Sequence, residues 1–137
     1  MRRQQVQAEW RRAQKALRAA ELLQQHGLVE DAISRAYYAI MHAAKAALLV
    51  HDVIAESHAA VRRLFGHVLV MAEGMEREWA QILARSHDQR GAAEYNVDFE
   101  VVEEASERLV QDAHRFIERM AVYMTSKGIR LEARDDG

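Results

Sequence analysis

The chain has no cysteine and no proline, and only six glycines in 137 residues. Without cysteine there is neither a disulfide nor a thiolate metal site. Proline and glycine most often break helices, so their scarcity favours long ones. No apolar run reaches the roughly 18 residues that a membrane span requires, so no membrane association is expected. The opening Met1-Arg2-Arg3-Gln4-Gln5 lacks the apolar stretch of a signal peptide, and cytoplasm is the expected compartment.

What is present is 50% apolar, enough to build the core of one domain over residues 1–137. The net charge is −2, so the chain as a whole does not attract polyanions, and nothing in it signals DNA. The charge is nevertheless uneven. Arg2, Arg3, Arg11, Arg12, Lys15 and Arg18 meet only Glu9 in the first twenty residues, whereas Asp98, Glu100, Glu103, Glu104, Glu107 and Asp112 surround a single Arg108. A basic first helix and an acidic last one attract each other, within or between chains, and the basic one also suits phosphates.

Five helical segments are predicted. The first runs from about Gln4 to Gln25, with Trp10, Ala13, Leu17, Ala20 and Leu23 at helical spacing and Gly27 at the stop. The second covers Val29 to His51. The third starts near Glu56 or Ser57, a capping position, and reaches Gly74, with Gly66 inside it marking a bend or a close helix contact. The fourth covers Met75 to Asp88. Gln89 to Asp98 reads as a loop with Gly91 and Asn96 as turn residues. The fifth runs from Phe99 to Ser126 on a stripe of Val102, Leu109, Ala113, Phe116, Met120 and Tyr123. A polar, fraying tail is expected from about residue 127. The expected fold is all-α, an up-and-down antiparallel bundle of about five helices.

The second helix carries an unusual row. Within an alanine-rich, otherwise apolar segment, Asp31, Arg35, Tyr38, His42 and Lys45 follow one another in steps of four, three, four and three, which places them on one face. Arg35 and His42 point the same way, about 10 Å apart along the axis. Such a row must reach water, a partner or internal hydrogen bonds, because an unpaired buried charge is costly. Asp31 and Arg35 at i,i+4 are spaced for an ion pair. Arginine offers a planar fork for phosphate, histidine moves protons near neutral pH, and tyrosine orients a hydroxyl or stacks on a base. Together these groups suit cleavage of RNA through its own 2′-hydroxyl, which needs no metal, or nucleotide binding without chemistry.

The segment Ser34-Arg35-Ala36-Tyr37-Tyr38-Ala39-Ile40-Met41-His42-Ala43-Ala44 resembles the signature helix of the HEPN family. Ser57-His58-Ala59-Ala60-Val61 with Leu64-Phe65-Gly66 resembles the third-helix start of a common prokaryotic subgroup. Arg90-Gly91-Ala92-Ala93-Glu94-Tyr95 resembles that subgroup's arginine and acidic-tyrosine segment before the last helix. The resemblance implies a helical bundle, commonly a homodimer. Many members are metal-independent endoribonucleases whose motif is an arginine, roughly four to six residues and a histidine, with two such sites meeting at the dimer interface. Many pair with a small nucleotidyltransferase as toxin and antitoxin. Carried over, Arg35 would hold the phosphate and His42 would move the proton. Tyr38, Asp31, Lys45, Arg90 and Tyr95 are the residues expected to contact the RNA or nucleotide.

The spacing alone does not select that pair. Arg62 with His67 and Arg108 with His114 also satisfy it, and composition alone yields about two or three matches. Many active members carry the motif late in the chain, with a polar residue after the arginine. Here Ala36 follows Arg35, on the second helix. Arg85, His87, Arg90 and Tyr95 form a second cluster that could approach the stripe in a dimer or in the folded bundle. His51, Asp52, His58 and His67 contain no compact ligand pair, so neither a metal nor a cofactor is expected. Three functions follow: a ribonuclease toxin held by a nucleotidyltransferase, a non-catalytic module binding a nucleotide or that partner, and a dimerisation domain with the stripe buried in a polar network.

Overall fold

The structure is a computed structural model describing residues 2–95 and 98–132. It is an all-α bundle with five α-helices among those residues: α1 (Arg3–Gln25), α2 (Val29–Leu49), α3 (His58–Phe65), α4 (Arg77–Tyr95) and α5 (Phe99–Ser126). None is long and apolar enough to cross a membrane.

Helix α1 buries Val6, Trp10, Ala13, Ala16, Leu17 and Ala20, one stripe at helical spacing. Gly27 ends it at φ +75°, a left-handed value that glycine adopts without strain. The short link folds α2 back against α1. Glu30 and Asp31 in the first turn of α2 complement the positive end of its dipole. Helix α2 is the hub, packing against all four other helices. Ala32, Ala36, Ala39, Ala43, Ala44, Ala46 and Ala47 are all fully buried, and side chains this small let neighbouring helices approach closely. Ile33, Tyr37, Ile40 and Leu48 fill the space between them, together with Leu109, Phe116 and Met120 of α5.

Ser57 caps α3, its hydroxyl accepting the Ala60 amide at 3.0 Å. From Gly66 to Ala72 the chain continues as a π-helical stretch. The bend or close contact expected at Gly66 is therefore a change of winding. A side chain there would meet nothing within 4 Å, so no neighbouring helix demands the glycine.

Two expectations are corrected. The loop read at Gln89 to Asp98 is helical as far as Tyr95. The buried stripe Trp79, Ile82, Leu83 and Ser86 continues to Ala93. Helix-favouring alanines at 92 and 93 outweigh Gly91, whose cost in a helix is only about 1 kcal/mol. Asn96, read as a turn residue, lies outside the described residues. Residues 127–132, read as fraying, fold back on α1. Gly128 turns the chain at φ +82°, Ile129 is buried, the Gln7 side chain donates to the Arg130 carbonyl and accepts the Glu132 amide, and Arg11 pairs with Glu132 at 2.6 Å.

The charge asymmetry between the ends is also used differently from the expected attraction. Arg11 turns to Glu132 and Arg12 to Glu9. The acidic α5 residue Asp112 pairs with Arg85 and Arg115, while Arg115 and Arg119 of α5 reach Glu78 in the first turn of α4 and Glu76 just before it.

Candidate functional site

The row on α2 lies on the helix's wet side. Asp31 and Arg35 are exposed, and Tyr38, His42 and Lys45 are half-buried. Arg35, Tyr38 and His42 open into one cleft of about 450 Å³ between α1 and α2. Helix α1 adds Arg12 and Lys15 as cationic walls, with Ala16 and Ala19 completing the lining. The α1–α2 pairing is antiparallel, so residues early in α1 face residues late in α2. Glu9 thereby meets His42, and the α1 residues a turn or two further on meet Arg35.

Glu9 organises the cleft. One carboxylate oxygen accepts a hydrogen bond from His42 Nδ1 at 2.6 Å. The other lies 3.4 Å from Arg12 and 4.0 Å from Lys45. Burial alone would raise the Glu9 carboxyl. The His42 hydrogen bond and the Lys45, His42 and Arg12 charges outweigh it and hold Glu9 below the usual carboxylate range. An ionised carboxylate only accepts, so Nδ1 carries the proton and Nε2 of neutral His42 keeps its lone pair. The arrangement can present an imidazole of fixed tautomer beside an arginine fork.

Arg35 is not ion-paired to Asp31 among the described residues; its guanidinium lies 5.3 Å from the Tyr38 ring centre. Arg90 of α4 comes to the same place from the other side, 5.4 Å from the Tyr38 ring and 5.3 Å from that of Tyr37. Tyr38 also stacks against His42 at 6.4 Å and meets His58 edge-on at 6.1 Å. It is thus flanked by two imidazoles and two guanidiniums. The fully buried Tyr37 hydroxyl bonds His58 Nδ1 at 2.7 Å. Burial pushes the Tyr37 phenol up, against the pull of Arg62 and Arg90. Burial also pushes the His58 imidazole down, reinforced by Lys45, Arg90, Arg62 and His42.

The other residues singled out in the sequence are dispersed. Lys45 borders a separate cleft of about 370 Å³ beyond Glu9. Asp31 borders a third, of about 210 Å³, together with Arg90 and Glu94. Tyr95 is 85% exposed at the end of α4. Of the second cluster, Arg90 and His87 approach the stripe, His87 with its ring 6.2 Å from that of Tyr37, whereas Arg85 turns away to Asp112 at 2.8 Å.

Sequence reading missed Glu9, His58 and Arg62 as neighbours of the stripe. Only Glu9 carries a signal, as the lone acid among the basic first twenty residues. Among the described residues no three histidines, aspartates or glutamates converge as metal ligands. His51 instead joins Tyr123, Glu73 and Lys127 in a polar network at the C-terminal ends of α2 and α5.

The HEPN domain model matches residues 6–123. A protein of Methanocaldococcus jannaschii, named "Putative toxin MJ0605", is 36% identical over 118 residues, covering 86% of this chain and 87% of its own. A second from that organism, "Putative toxin MJ0142", is 27% identical over 118 residues, 86% of this chain and 80% of its own. A Pyrococcus horikoshii protein, "UPF0332 protein PH1297", is 44% identical over 75 residues, about half of each chain (54% and 53%).

Proposed function

The chain belongs to the HEPN domain family, and from that premise we propose that it is the toxin of a toxin–antitoxin pair, an endoribonuclease that cuts RNA without a metal through the RNA's own 2′-hydroxyl. The toxin part draws on the names of its relatives. The observation that carries the chemistry is the shared cleft: Arg35 and His42 line the same opening, and Glu9 backs His42.

The reaction needs a base for the 2′-hydroxyl and positive charge on the phosphate. His42 Nε2 takes the hydroxyl proton. The 2′-oxygen attacks phosphorus, the bond to the 5′-oxygen breaks, and that oxygen leaves as a hydroxyl, with His42 returning the proton. Arg35 holds the non-bridging oxygens, and Arg12 and Lys15 add to the field. Tyr38 offers its face to a base. The protein works in the cytoplasm as a homodimer, and a small nucleotidyltransferase neutralises it.

The test is cleavage of single-stranded RNA in the presence of a chelator. The expected products end in a 2′,3′-cyclic phosphate and a 5′-hydroxyl, and His42→Ala slows the reaction by about 10²–10⁴-fold. Equal cleavage by His42→Ala removes that residue from the mechanism. The alternative is a non-catalytic module that binds a nucleotide or the nucleotidyltransferase, and Ala36 after Arg35 favours it. It is the reading if the wild type leaves RNA intact while Arg35→Ala abolishes binding.

A further inference from the structure

Around Tyr37 and Tyr38, His58, Arg62 and Arg90 bring donor groups for which no hydrogen-bond acceptor is found among the described residues. His58 begins α3, and its Nδ1 is the only described partner of the buried Tyr37 hydroxyl. A buried hydroxyl proton needs an acceptor, so Tyr37 donates to Nδ1. The proton of neutral His58 then sits on Nε2, and exposed His58 presents an N–H. Arg62 lies one turn further along α3 with Nη1 buried and without a hydrogen-bond partner among the described residues. Arg90 Nε is in the same condition. The groups acting on His58 are the cations Lys45, Arg90 and Arg62, together with the His42 imidazole. Glu9 offsets part of this charge on the α1 side of Tyr38, where it contacts His42, Arg12 and Lys45. Arg90 also borders the small cleft containing Glu30, Asp31 and Glu94, but no ion pair joins it to them among the described residues.

Clustered cations on a chain of net charge −2 repel one another and cost stability unless an anion joins them. Three donor groups without an acceptor match the oxygens of a phosphate. We propose that His58, Arg62 and Arg90 form a second phosphate subsite, separated by Tyr38 from the one at Arg35 and His42. A ligand with two phosphates, either an RNA strand or a free nucleotide, would then straddle the tyrosine with a base on its ring. The proposal rests on the reading above only in taking this face to bind a phosphate-bearing ligand; it does not need cleavage.

The probe is a labelled 2′-O-methyl RNA of about twelve nucleotides, a length in the usual range for single-strand sites. It lacks the attacking hydroxyl, so binding is read apart from cleavage. Affinity is measured by fluorescence anisotropy against salt concentration. Arg62→Gln is expected to reduce the log–log salt slope by about 0.7, the loss of one phosphate contact. His58→Ala weakens binding in the same direction. Arg63→Gln, an exposed neighbour on the same helix, serves as the control, and melting curves confirm that each variant is folded.

The subsite is overturned if Arg62→Gln and Arg63→Gln bind alike, or if the wild type does not bind the probe. If native RNA is cleaved yet Arg62→Gln binds normally, the ribonuclease reading stands and the subsite falls. An Arg62-dependent slope without cleavage of native RNA leaves the subsite standing and removes the ribonuclease. Arg62-dependent displacement of the probe by ADP, at equal affinity for short and long oligonucleotides, identifies the source of the phosphates as a free nucleotide and supports the subsite.

Discussion

His42 Nδ1 lies 2.6 Å from a carboxylate oxygen of Glu9, 33 residues away in the chain. The pair joins α1 to α2 at the mouth of the cationic cleft and fixes which imidazole nitrogen faces outward. Isolated histidine prefers the opposite tautomer, with the proton on Nε2, so the carboxylate determines the chemistry that His42 can perform.

Glu9→Ala is therefore expected to change His42 from the Nδ1–H to the Nε2–H tautomer, visible in the imidazole nitrogen shifts by NMR. Glu9→Gln keeps an acceptor oxygen and should retain much of the native tautomer. RNA cleavage by Glu9→Ala should fall in kcat by about tenfold or more, short of the 10²–10⁴-fold at stake when the base itself is removed, with KM little changed. An unchanged tautomer in Glu9→Ala would rule out this positioning role.

How far the sequence reveals these features follows from the range of the forces involved. Helical periodicity is local, so the buried stripe of α5 and most of that of α1 are legible in the sequence, as is the Ser57 cap. The row from Asp31 to Lys45 is legible for the same reason. What faces it is not, because Glu9, His58 and Arg90 reach it through helix packing, and neither packing angle nor register is written in a local pattern. The end of α4 was obscured by Gly91, whose propensity argues for a turn while Ala93 still finds the core. The π-helical winding after Gly66 has no distinct pattern in the sequence.

Acid should weaken the junction between α4 and α5. Arg119 donates to both carboxylate oxygens of Glu76, at 2.8 and 3.2 Å. That bond, with a second from the Trp79 indole, lowers the Glu76 carboxyl from 4.5 to about 2. In the unfolded chain the group binds its proton more readily, so this contribution is complete above pH 4.5 and disappears as pH falls towards about 2. Glu76 is largely exposed, so solvent screening limits the effect to about 1 kcal/mol or less. Melting curves recorded across that window should show wild type losing stability faster than Glu76→Gln, with the gap narrowing at high salt. Parallel loss in the two proteins would show that the pair contributes nothing.

Gly91 offers a direct check on the helical segment that carries Arg90. It stands within α4 at a backbone angle open to any residue, and an added Cβ would meet nothing within 4 Å. Alanine there removes unfolded-state freedom and improves helix propensity, so Gly91→Ala should stabilise the protein by about 0.5–1 kcal/mol, or roughly 2–4 °C in Tm. Gly128→Ala should do the reverse, because its φ of +82° lies in the left-handed region. The comparison separates helix from loop at residue 91: a loop that needed left-handed glycine would make both substitutions destabilising. Arg90 lies beside Gly91, and its guanidinium reaches Tyr37 and Tyr38 only if this turn of α4 is formed. Gly91→Ala should therefore also leave RNA-analogue binding intact or strengthen it, since a firmer helix holds Arg90 in place at lower entropic cost.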